Sequence, residues 1–252
     1  MDDDGLGPFF ALESWRAGDG WRPLDDVVSD PLVIAERVST ARTVMAERAG
    51  LPASRIDPRA MASVVSLGLF ARLLSPPFGT AVRTGVVPAL TIATLWWKPV
   101  GGGPWPMATS AGEPTPPARA ASPESVAARF AEQIVAGVAA PVLAVFAAEY
   151  RLSEKVLWGN VGSALGGAAG MLTTGRPELA DRAADLAERI LAVPPLLGTG
   201  RLAHPDPDHP RRFFVRRSCC LFYRIPGGGT CGDCILIPAD VRRQQWRVAL
   251  TR

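Results

Sequence analysis

Apolar residues recur at helical spacing through much of the first 200 positions, and the breaks fall at residues that start or stop helices. Asp30-Pro31 opens one such pattern, and Gly50 closes it after Ala49. Asp57-Pro58 opens a second, whose uncharged stretch 60–71 carries Met61, Val64, Val65, Leu67, Leu69 and Phe70. Ser75-Pro76-Pro77 is expected to end it as a buried helix, because an interior proline removes a backbone donor. Positions 82–87 and 91–97 are rich in β-branched and aromatic residues between Gly and Pro, which predicts a short hairpin or meander. Ser122-Pro123-Glu124 supplies a cap, a first-turn proline and an acid, and predicts a helix to Tyr150 kinked at Pro141. Within 156–175, Gly162, Gly166 and Gly170 recur every four residues, a smooth stripe that lets another helix approach closely. Arg176-Pro177-Glu178 opens a last amphipathic helix, with Leu179, Ala183, Leu186 and Ile190 on one face and Pro194-Pro195 beyond its end.

Composition narrows the class. The 252 residues are 48% hydrophobic, enough for one large core or two small ones. The mean hydropathy of +0.14 is high, but 25 Gly and 24 Pro interrupt the apolar runs. The uncharged core 134–148 is shorter than the roughly twenty residues a bilayer helix needs. No transmembrane segment is expected, and peripheral membrane association is left open. Met1-Asp2-Asp3-Asp4 has the wrong sign for a signal peptide, so a cytoplasmic location is expected. The stretch 100–123, with six Pro and four Gly, reads as a linker or long surface loop. Residues 201–252 hold ten Arg against four Asp, which leaves residues 1–200 net negative at −3. Lys98 and Lys155 are the only lysines, and an Arg bias of this kind is not by itself a nucleic-acid signature.

All four cysteines lie between Cys219 and Cys234, so they make one local site rather than staples between distant segments. Four thiolates suit either zinc or an iron-sulfur cluster. Adjacent cysteines in extended backbone point to opposite faces, so Cys219 and Cys220 suit a two-iron cluster better than one ion. Gly227, Gly228, Gly229 and Gly232 permit tight loops that bring backbone N–H groups to sulfur. Arg216, Arg217 and Arg224 would counter the charge of about −2 on an oxidised four-thiolate [2Fe-2S] centre. The absence of His from the motif excludes a Rieske centre. His204 and His209 read as part of a Pro-rich polar loop. Trp96, Trp97, Trp105 and Trp158 read as core residues, with an apolar cleft as the alternative. Asn160 sits among apolar neighbours and needs hydrogen-bond partners. Phe213, Phe214, Phe222 and Tyr223 need burial, so the cysteine segment should dock on the helical body. With no dinucleotide fingerprint, P-loop or nucleophile elbow, the chain should draw electrons from another protein.

Cys-Cys-x10-Cys-x2-Cys near the C-terminus of a chain of this length resembles the FhuF-like ferric siderophore reductase family, and Trp158-Gly159-Asn160 is similar to a triplet of that family. Likeness in length and layout spans most of residues 50–240, leaving residues 1–50 and the loop 100–123 unaccounted for. The resemblance implies an oxidoreductase with a [2Fe-2S] cofactor held by Cys219, Cys220, Cys231 and Cys234. Its partners would be a ferric siderophore, hydroxamate type favoured, and an external donor such as a ferredoxin or reductase, with no nucleic acid. Arg216, Arg217, Arg224 and Trp158 are the substrate-side candidates. The expected fold is mainly α with a small β component (α+β). Residues 1–200 would form a helical body with a short β hairpin and a siderophore-facing cleft, and residues 201–252 an iron-sulfur module. The rivals are a zinc-stabilised basic binding protein and a generic iron-sulfur electron carrier.

Overall fold

The computed structural model describes residues 7, 9–112 and 121–251. It is a mixed α+β fold in which short strands flank a helical core. Strands β1 (Glu13–Ser14) and β2 (Arg22–Pro23) precede helices α1 (Asp25–Ser29), α2 (Pro31–Ala49) and α3 (Pro58–Thr84). Strands β3 (Leu95–Trp97) and β4 (Met107–Thr109) follow. Next comes one continuous helical rod, made of α4 (Pro123–Phe130), a π segment (Ala131–Ala139) and α5 (Ala140–Tyr150). The chain then forms α6 (Glu154–Gly175), α7 (Ala180–Leu191), the ribbon β5 (Gly200–Ala203) and β6 (Phe213–Arg216), and α8 (Ala239–Leu250).

The caps are those the sequence predicts. Asp30 accepts from the Leu32 N–H at the start of α2, and Gly50, at φ 64°, closes it. Asp57 accepts from the N–H groups of Arg59 and Ala60 at the start of α3. In the 123–150 rod, the Ala140 N–H reaches back five residues to Val135 O, and this looser π winding takes up the kink expected at Pro141.

Helix α3 corrects an expectation: it runs through Pro76 and Pro77 to Thr84 rather than stopping at Ser75. Residues 72–82 are all buried, and packing on every side outweighs the roughly 3 kcal/mol that an interior proline costs. The 82–97 hairpin is therefore replaced. Residues 82–84 finish α3, and β3 pairs instead with β2 and β4 in a sheet of order β1-β4-β3-β2. β4 lies inside the stretch read as a linker or loop, whose Trp105 is buried against Trp97 with ring centres 4.7 Å apart. Buried Arg72 holds this region together, donating to Trp105 O at 2.9 Å and to Ala11 O at 3.0 Å.

α6 packs along α3 at the centre of the fold. Its glycine stripe does not meet a helix as expected but takes the side chain of Phe214 from β6. A methyl group on Gly166 would stand 2.5 Å from Phe214 Cβ and 2.7 Å from its Cγ. Another expectation is corrected at the C-terminus, where α8 follows the motif, so α7 is not the last helix. Among the described residues, two helical spans, Pro58–Thr84 and Pro123–Tyr150, are long and apolar enough to cross a membrane. The apolar window of the first is 78% buried, as in a core helix, and that of the second is half buried.

Candidate iron-sulfur site

An unusual backbone residue follows the adjacent cysteines. Leu221, at φ 66°, occupies the left-handed region that a branched side chain rarely adopts. This turns the chain back immediately after Cys220, and the Leu221 N–H donates to Cys219 Sγ at 3.3 Å. At the other end, the Leu236 N–H donates to Cys234 Sγ at 3.4 Å. The N–H groups aimed at sulfur thus come from Leu221, Leu236 and Phe222, the last on Cys220, rather than from the glycine run. The glycine turn folds onto its own loop, with the Gly228 N–H donating to Ile225 O at 2.9 Å.

Cys220 and Cys231 approach to 3.3 Å between sulfurs. The hydrogen bond from the Cys231 thiol draws Cys220 down to about 6, against its burial, and the Arg216 charge adds to the lowering. The same bond, with burial and nearby Asp233, pushes Cys231 up. All four cysteines are free thiols, with Cys220 and Cys234 buried. Among the described residues, no group of three or more His, Cys, Asp or Glu side chains is arranged to hold a metal ion.

Arg216 is 1% exposed, and its surroundings explain the Trp158-Gly159-Asn160 triplet. Its Nη2 donates to Asn160 Oδ1 at 2.6 Å and its Nε to Ser218 O at 3.1 Å. Asn160 in turn donates through Nδ2 to Ser63 O, Ser63 Oγ and Ser66 Oγ of α3, at 2.9, 3.1 and 2.9 Å. Gly159 leaves room for Ser218, because a methyl group there would collide with its hydroxyl. Trp158 is half-buried and packs on the core. Arg216 Nη1 and Ser218 Oγ are buried without partners, so the site holds unspent hydrogen-bond donors beside the thiols.

The other arginines separate. Arg217 is exposed, and its N–H donates to Thr199 O at 2.8 Å. Arg224 pairs with Asp57 at 3.0 Å, tying the motif to the start of α3. That pair is partly solvated, so Arg224→Ala should cost under about 1 kcal/mol in a urea melt. Of the four aromatics, Phe214 is buried, Phe213 stacks on Trp246 and Phe222 packs on the core. Tyr223 is 53% exposed, contrary to the expected burial, because in its short helical turn Phe222 is the ring that packs on the core. His204 and His209 share a loop in which His204 Nε2 meets the His209 carbonyl at 2.9 Å.

Two site residues escape the sequence reading. Asp233, inside Cys231-Gly232-Asp233-Cys234, accepts from Ser163 of α6 and interacts with the Cys231 thiol. A charged residue between two paired cysteines is the signal that could have marked it. Trp246 is the one buried residue of α8.

The architecture is that of a mixed α+β protein, and the family match to its cysteine segment gives the class, a protein with a C-terminal [2Fe-2S] domain. Residues 216–234 match the FhuF 2Fe-2S C-terminal domain, and residues 96–215 match the model described as ferric iron reductase FhuF-like transporter. The two matches are contiguous and cover more than half of the chain, which belongs to the FhuF-like ferric iron reductase family. No curated protein matches the sequence.

Proposed function

We propose that the protein reduces siderophore-bound Fe(III), with Cys219, Cys220, Cys231 and Cys234 holding the cluster. When bound, the [2Fe-2S] group supplies a one-electron donor. The substrate Fe(III) gains one electron and becomes Fe(II), and an external one-electron donor, a ferredoxin or reductase, replaces it. Hard oxygen ligands hold Fe(II) more weakly than Fe(III), so the metal can then exchange. The observation that carries this reading is the buried Arg216 cation, with an unpartnered N–H, set near the Cys220 thiol in a [2Fe-2S] domain.

The residues of the chain have separable tasks. Arg216 offsets negative charge at the sulfurs, Leu221 and Leu236 donate N–H groups to them, and Asn160 fixes the direction of Arg216. Cys219, Cys220, Cys231 and Cys234 would hold the group, and Cys220 and Cys231 already lie close together. In this reading residues 1–200 are the body and 201–252 the cluster-bearing module. The setting is the cytoplasm, where neighbouring free thiols stay reduced.

Each of Cys219→Ala, Cys220→Ala, Cys231→Ala and Cys234→Ala should abolish stoichiometric iron and sulfide and bleach the visible spectrum. Four variants that kept both would sink the ligand assignment. Dithionite-reduced protein should be reoxidised by ferric hydroxamate siderophores, with Fe(II) trapped by a ferrous chelator. Reoxidation no faster than by unrelated ferric chelates would leave a generic electron carrier.

A further inference from the structure

Helix α8 begins at Ala239, just beyond Cys234, where the match to the 2Fe-2S domain ends. It nevertheless reaches back to the site through Arg242. A cation near a helix N-terminus opposes the helix dipole, which favours acids in the first turn, such as Asp240 here. Arg242 spends that cost on the cysteine segment. Its half-buried side chain donates through Nη2 to Cys234 O at 3.0 Å and to Ile237 O at 2.7 Å. Both acceptors are backbone carbonyls, so these bonds do not neutralise the guanidinium.

Between the two carbonyls lies Leu236, whose N–H donates to Cys234 Sγ at 3.4 Å. One side chain therefore holds both ends of the turn that delivers a backbone donor to a ligand sulfur. Further along α8, Trp246 stacks on Phe213 of β6 with ring centres 5.2 Å apart. That anchor makes Arg242 a strut between the β5–β6 ribbon and the turn rather than a free surface charge. Groups that hold the ligands of a metal site fix their direction and tune the site. We propose that Arg242 is a positioning residue of the iron-sulfur site, clamping the Cys234–Ile237 turn so that the Leu236 N–H stays on the Cys234 sulfur. A hydrogen bond to a thiolate sulfur favours the more negative, reduced state, so the clamp raises the cluster potential. The inference rests on the cysteine assignment above and brings α8 into the site.

The test compares three full-length variants with native protein. Arg242→Met removes the clamp and the charge, and Arg242→Lys keeps the charge and a donor. Arg243→Met removes the same charge from the exposed neighbouring position of α8. In cluster-free R242M, the Leu236 amide should exchange its hydrogen at least about tenfold faster than in native protein, with the amides of α3 unchanged. Cluster-loaded R242M should titrate at a more negative potential and lose iron to a chelator about tenfold faster. R242K should lie closer to native protein in each measurement, and R243M should match it. The clamp is overturned if R242M leaves the Leu236 exchange or the potential at the native value. It is overturned equally if exchange rises throughout the chain, which would reduce Arg242 to general stability, or if R243M shifts the potential as far, which would leave only a diffuse field. R242K no better than R242M would also remove it. The two readings fail separately. Native protein without iron and sulfide would end the cluster assignment whatever the exchange of Leu236 shows, whereas a full cluster with unmoved exchange and potential in R242M would end the clamp alone.

Discussion

Gly166→Ala is expected to destabilise the protein by about 1–2 kcal/mol and to lower cluster content, although alanine is ordinarily the better helix former. The added methyl would overlap Phe214 at its Cβ and Cγ, close to the backbone, where rotation of the ring gives no relief. The ring is confined on its other sides as well, since side chains at Gly162 or Gly200 would also strike it. Strand β6 must then move off α6, carrying Arg216 with it. Phe214→Ala in the same chain should restore room, so the double variant should lose less than the two single losses combined. Urea melts of the four proteins, with iron and sulfide assays, check this. A Gly166→Ala protein as stable as the native one would show that the docking of β6 on α6 is looser than the structure has it.

Asn160→Leu is expected to cost more, about 3 kcal/mol or above, because it removes the acceptor of a buried, charge-assisted hydrogen bond and the donors to Ser63 and Ser66. The Arg216 guanidinium would remain buried with less compensation. Arg216→Met should also destabilise, and the double variant should cost less than the sum, since neither the Asn160 amide nor the Arg216 guanidinium is then left facing a missing partner. Arg216→Met carries a second readout. With the cation gone, the cluster potential should fall, measurable by redox titration, and the Cys220 thiol of cluster-free protein should titrate higher than in the native chain. Unchanged potential and titration would confine Arg216 to packing.

Local signals in the chain were readable because their physics is local. Asp30, Asp57 and Ser122 cap helices whose first turns they can reach by themselves, and the four cysteines stand within one short segment. Pro76 and Pro77 were misleading because burial supplied from distant segments decides that part of α3. Helix α8 was missed for the opposite reason, since Trp246 alone is buried in it and its apolar residues mark no core-facing stripe. The purpose of Asn160 was out of reach of the sequence because its partners lie 97, 94 and 56 residues away. The glycine stripe announced a close approach, but only the fold identifies Phe214 as what approaches.

The separation of those partners also sets an order in time. A chain is synthesised from its N-terminus, and early segments can pack before later ones exist. Ser63, Ser66 and Asn160 belong to the α3–α6 pair, all of it ahead of Arg216 and the first cysteine. The seat can therefore be complete before the thiols leave the ribosome. Reactive sulfurs would then emerge onto a finished surface, which shortens the interval in which they are open to oxidation or to the wrong metal.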